Sequence, residues 1–214
     1  MSEEARSMGA LFARLNEANA LHQSGNIPAA VPAYRAILND WPDQPDALHM
    51  LGIIAQQMGQ YALALQLFDE TLRIVPHFGT AWVNRATLLR LLDRFEDALQ
   101  STQKAIEAEP KLGGGWNMSG VLLRDLKRYD EALLHHKKAV ELNPEDPSFL
   151  YNYACILLTL GQIEDAWRTA KKAEILAPNR AEILATLGVI LISAGWPSRA
   201  VPYLRKAQEL EPRY

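Results

Sequence analysis

Residues 45–78 read PDALHMLGIIAQQMGQYALALQLFDETLRIVPHF. In the first half, Leu48, Leu51, Gly52 and Ala55 follow the i, i+3, i+4, i+7 spacing of one helix face. Gly59 comes next, and glycine suits the left-handed conformation common just past a helix C-terminus. A second apolar stripe runs through Tyr61, Ala64, Leu65, Phe68 and Leu72. Pro76 blocks its continuation, because proline has no N–H and its ring clashes with the preceding turn. The stretch predicts a helix–turn–helix, with helices near residues 47–58 and 62–75.

The same punctuation recurs along the chain. Pro42, Pro76, Pro110, Pro144, Pro178 and Pro212 stand 34 residues apart. At that period the chain divides into repeats 11–44, 45–78, 79–112, 113–146, 147–180 and 181–214, after a polar N-terminal segment 1–10. Position 20 of every repeat is alanine: Ala30, Ala64, Ala98, Ala132, Ala166 and Ala200. Position 8 is always small: Ala18, Gly52, Ala86, Gly120, Ala154 and Gly188. Small residues in both columns let the two helices of a repeat approach closely. Position 15 is glycine in four repeats and Asp93 or Lys127 in the other two. Six in-phase copies predict an all-α chain of twelve helices without strands.

These columns, with Leu48, Trp82, Trp116, Leu150 and Leu184 at position 4, resemble the tetratricopeptide repeat family over residues 11–214. The resemblance implies a right-handed superhelical solenoid whose first helices line a concave groove. It also implies a protein-interaction module rather than a catalyst.

Composition agrees with a folded chain and excludes several classes. About half of the 214 residues are hydrophobic and 22% are charged, which does not fit disorder. The net charge of −3 argues against a nucleic-acid partner. No apolar run is long enough for a membrane span, and no apolar region follows the polar N-terminus. The expectation is a cytoplasmic protein without membrane contact. A single cysteine, Cys155, has no internal disulfide partner and no second thiol for a metal site, and reads as a small apolar filler. His135 and His136 are adjacent and point about 100° apart on a helix, so they are no metal pair and read as part of a semi-exposed helix. Gly113-Gly114-Gly115 lacks the Gly-Lys-Ser/Thr of a phosphate loop and reads as a flexible joint. No cofactor, metal or catalytic residue is expected.

Both ends depart from the pattern. Arg14 and Glu17 replace apolar residues at positions 4 and 7 of repeat one, as suits an end cap. Repeat six keeps Val201, Tyr203, Leu204 and Leu210, so its C-terminal face is expected to be sticky and open to homo-oligomerisation.

A longer period lies over the first. Position 6 reads Asn16, Met50, Asn84, Met118, Asn152 and Thr186, which alternates with a 68-residue double repeat broken only at Thr186. By the family's geometry these residues face the groove, with Asn19, His49, Arg90, Asn117, Arg124 and Tyr151 beside them. Amides offer both donors and acceptors, so they suit a peptide main chain of any sequence. The alternation is similar to the asparagine ladder in the repeat arrays of O-linked N-acetylglucosamine transferases. Asn84 and Asn152 are expected to bind the main chain of an extended segment, with Met50 and Met118 as adaptable apolar contacts. At helix spacings of roughly 8–10 Å, amides two repeats apart stand roughly 20 Å apart. The basic residues of a chaperone-tail clamp are absent from Leu15, Asn19, Met50, Thr80 and Asn84. The leading expectation is therefore a scaffold for a protein or peptide. A second is the substrate-recognition repeats of a larger glycosyltransferase or sulfotransferase, which the Asp46-Ala-Leu-His-Met-Leu-Gly segment resembles.

Overall fold

The computed structural model describes residues 3–212, with side chains from Met8 onward. Met1, Ser2, Arg213 and Tyr214, at the ends of the expected segments 1–10 and 181–214, lie outside the described residues.

Twelve helices and no strand occur among the described residues. They are α1 (Glu3–Gln23), α2 (Ile27–Asp40), α3 (Pro45–Gln57), α4 (Tyr61–Ile74), α5 (Gly79–Leu91) and α6 (Phe95–Ala108), then α7 (Gly113–Asp125), α8 (Tyr129–Leu142), α9 (Pro147–Thr159), α10 (Ile163–Leu176), α11 (Ala181–Ser193) and α12 (Pro197–Leu210). Each repeat is one helix pair. The first helix of repeat two starts at Pro45, earlier than the apolar stripe alone indicates, because the Gln44 side chain caps it by accepting from the Ala47 N–H. The capping register recurs at α9, where Asp146 accepts from the N–H groups of Ser148 and Phe149. α1 runs back to Glu3, so described residues of the expected N-terminal segment continue the first helix.

The turn column behaves as its glycines indicate. Gly25, Gly59, Gly161 and Gly195 have φ between 72° and 82°. Asp93 and Lys127, in the same column, are held at φ 56° and 61°. All six turns thus share one left-handed geometry, whatever the residue.

The close-approach column also has a direct cause. A Cβ on Gly52 would stand 2.7 Å from the Phe68 ring, and one on Gly120 would stand 2.8 Å from the His136 ring. A Cβ on Gly188 would stand 2.5 Å from Leu204. In these repeats a large residue at position 24 packs against the glycine at position 8.

The helices fall into two compact units, Met1–Glu109 and Pro110–Tyr214, each of three helix pairs. In the first, α3 touches α5; in the second, α9 touches both α7 and α11, so neighbouring first helices adjoin. The first core gathers Leu11, Leu15, Tyr34, Ile37, Leu51 and Ile54; one core of the second gathers Leu150, Leu157, Ile183 and Leu187. Arg14 pairs with Asp40 and stands over the Trp41 ring, so the polar first repeat is also knitted to its own second helix.

The glycine triplet is not a flexible joint. It forms the first turn of α7, with Gly113 and Gly115 buried. A Cβ at Gly113 would collide with the Asn143 side chain and the Phe149 ring, so space dictates the glycine.

Candidate functional site

The expected site residues all lie on first helices, and the structure joins several of them in pairs. In the first unit, Asn84 on α5 donates its Nδ2–H to His49 Nε2 on α3 at 2.8 Å. The bond requires neutral His49 with its proton on Nδ1. His49 is buried and lies 4.8 Å from Phe78 and 5.8 Å from Phe68, ring centre to ring centre. Burial pushes its pKa down, and Asp46 only partly opposes this.

In the second unit, Asn152 on α9 donates its Nδ2–H to Asn117 Oδ1 on α7 at 3.0 Å. The same oxygen takes His136 Nδ1–H at 3.2 Å. Both amide pairs join position 5 of an even repeat to position 6 of the next, 35 residues on. The 68-residue period is therefore the same polar junction built once in each unit. In the first unit, Leu15 and Met50 hold the equivalent positions of the preceding junction as apolar members of the first core.

Half of each position-6 amide remains uncommitted. Asn84 and Asn152 are half-buried and each spends one N–H on its neighbour. The carbonyl oxygen and second N–H of each have no protein partner among the described residues. Asn16 is exposed, and Asn19 accepts from the buried Tyr34 hydroxyl at 2.6 Å. Met50, Arg90, Met118 and Tyr151 are half-buried, as is Arg124, which has Asp125 at 3.6 Å.

On the partly exposed helix α8, His136 departs from the expected semi-exposed setting. It is fully buried, and its Nε2 has no protein hydrogen-bond partner among the described residues. His135 is half-buried against Trp116, with ring centres 5.2 Å apart. The signal for burial was present: His136 occupies position 24 opposite Gly120, as Phe68 does opposite Gly52. Sequence reading also missed two indole bonds. Trp82 donates to the Pro76 carbonyl at 2.8 Å and Trp116 to the Pro110 carbonyl at 2.9 Å, so in repeats three and four position 4 fastens the repeat to the proline before it.

Three sequence models of the tetratricopeptide repeat match the chain. One matches residues 15–77 and 49–112, one residues 114–146 and 181–214, and one residues 137–168. The chain belongs to the tetratricopeptide repeat family. This tetratricopeptide-repeat (TPR) protein matches no curated sequence. Its fold is similar to that of PilF from Pseudomonas aeruginosa, with TM-score 0.84 and 20% identity over 95% of this chain and 93% of that one. YrrB, described as a TPR protein with an unusual peptide-binding site, aligns with TM-score 0.64 and 20% identity over 86% of this chain and 94% of its own. MamA from Desulfovibrio magneticus RS-1 aligns with TM-score 0.67 and 20% identity over 79% of this chain and 96% of its own. At these identities the likeness concerns the fold.

Proposed function

We propose that this TPR protein is a non-catalytic scaffold that binds an extended segment of another protein on the first-helix face. The observation that carries this reading is the half-committed amide at Asn84 and at Asn152. Each is oriented by a neighbour on the adjoining helix, and each keeps a donor and an acceptor for a ligand's main chain. The amides are thus set in place before a ligand arrives, which lowers the ordering cost of binding. YrrB, of the same fold, is described as binding peptide, which supports the class of ligand. No group of three or more metal-ligating side chains occurs among the described residues, and Cys155 is half-buried with its pKa pushed up by burial.

The test begins with a ligand isolated by pull-down and truncated to its minimal segment. Asn84→Ala and Asn152→Ala are each expected to weaken binding by roughly 0.5–1.5 kcal/mol. Helicity is expected to remain. Unchanged affinity in the double variant would reduce both amides to inter-repeat packing.

A second reading, self-association through repeat six, is favoured by one observation. Val189, Ile192, Trp196, Val201 and Leu210 are all exposed there.

A further inference from the structure

A large cavity of the first unit has none of the first-helix site residues in its lining. It is a trough of about 840 Å³ lined by Val31 and Pro32 of α2, Ile54 and Met58 at the end of α3, and Leu63 and Leu67 of α4. Its volume falls within the range of built ligand pockets, roughly 300–1,000 Å³. Ile54 is buried in the floor, whereas Met58 and Leu63 stay 58% and 39% exposed at the rim.

The chemistry of this trough departs from that of α6, α8 and α10, while α12 also lacks an acid in its first turn. α6, α8 and α10 each open with an acidic pair: Glu96 and Asp97, Asp130 and Glu131, Glu164 and Asp165. One carboxylate of each pair is engaged, in the pairs Arg94–Asp97, Arg128–Glu131 and Arg168–Asp165. α2 and α4 have no acid in the first turn. Pro28-Ala29 and Ala62-Leu63 fill those positions. The charged pairs that solubilise the later helices are replaced by apolar surface on both walls of the trough. Arg35 is its one charged lining residue; it is exposed, and no ion pair holds it among the described residues.

We propose that this trough is a second docking site for a short amphipathic helix of a protein partner, which turns apolar side chains inward and a carboxylate toward Arg35. The charge argument selects an acidic occupant, since a lone guanidinium on an apolar wall meets a carboxylate with bidentate geometry. Gln57 and Gln60 add amide donors and acceptors at one end of the trough. Pro32, without an N–H, leaves the Pro28 carbonyl without its helical donor on the same wall. Such polar groups suit a polypeptide better than a plain hydrocarbon chain. The mode is a helix laid in a groove, anchored at i, i+3, i+4 and i+7 spacing. The trough includes neither Asn84 nor Asn152 nor the residues paired with them, so either site stands if the other fails.

The experiment selects a phage-displayed library of random peptides, about 12 residues long to allow three helical turns, against the full chain. Enriched peptides are then measured by fluorescence anisotropy. The expected consensus has apolar residues at helical spacing and an Asp or Glu beside them. Leu63→Glu is expected to weaken binding by about ten-fold or more, as loss of an apolar anchor does. Arg35→Glu is expected to weaken the acidic peptide and to restore binding of the peptide whose acid is replaced by lysine. Asn84→Ala is expected to leave these affinities unchanged, and far-UV circular dichroism to be the same for all variants. Failure to enrich any peptide over selection on Leu63→Glu overturns the proposal. So does equal binding of acidic and lysine peptides, or loss of binding in Asn84→Ala. Decanoate binding at Leu63 with no peptide selected also overturns it, and would assign the trough to aliphatic acids.

Discussion

Burial pushes the His136 pKa down to about 3, chiefly through desolvation, with Arg124 and His135 adding to it. In the unfolded chain the same group titrates near 6.5. Above that pH both states are neutral and the contribution to stability is complete. As pH falls below it, the unfolded chain binds a proton that the native site refuses, and stability declines until the native group also titrates near 3. The slope in that window is about 1.4 kcal/mol per pH unit for one such group. His49 and His135 are also shifted down by burial and act in the same direction. Urea unfolding is therefore expected to move to lower midpoints from pH 7 to pH 4.5. His136→Phe, which copies Phe68 in the same column, is expected to flatten that dependence. Equal slopes in both proteins would show that burial of His136 is not what acid disrupts. The glycine opposite each of these rings was visible in the sequence, but its meaning was not. A small residue at position 8 indicates a close approach; only the partner column, read together with it, indicates which side chain is buried there.

Within a helix pair, the three glycines at position 8 are not equally replaceable. Gly52 and Gly120 face rings, which are planar and fully buried at Phe68 and His136. Gly188 faces Leu204, a flexible side chain that is only half-buried. Overpacking a rigid site costs typically 1–3 kcal/mol, whereas a leucine able to change rotamer absorbs part of the strain. Gly52→Ala and Gly120→Ala are expected to lower the unfolding free energy by roughly 1–3 kcal/mol, and Gly188→Ala by less. Chemical denaturation of the three variants checks the order, and an equal cost at Gly188 would contradict it. At this scale the pairing of helices was legible, because 3.6-residue stripes, glycine stops and proline breaks act locally. Helix starts were less so. Gln44 and Asp146 cap by side-chain bonds that lie outside the apolar stripe, and they move the first residue N-terminally.

Within each unit successive helix pairs pack on one another, and the last described pair leaves apolar side chains exposed. Only Ala200 and Ala207 are buried on α12, while Val201 and Leu210 are exposed. End repeats of such quasi-one-dimensional folds open most easily. In dilute solution, amide hydrogens of α12 are expected to exchange faster than those of α8. Slowing of α12 alone as concentration rises would mark self-association through that end; slower exchange than α8 at every concentration would refute the weak-end view. The site was only partly legible at this scale. The alternation at position 6 was plain, but a sequence shows one column at a time. The bonds Asn84–His49 and Asn152–Asn117 run between columns 5 and 6 of successive repeats. Those bonds have a consequence for how such a gene changes length. Loss of repeat three sets His49 in register with Met118, and loss of repeat two sets Leu15 in register with Asn84. Within the first five repeats, exchange of a two-repeat block keeps polar against polar and apolar against apolar. Recombination between copies thus meets the least structural resistance in steps of sixty-eight codons, the spacing of Asn84 and Asn152.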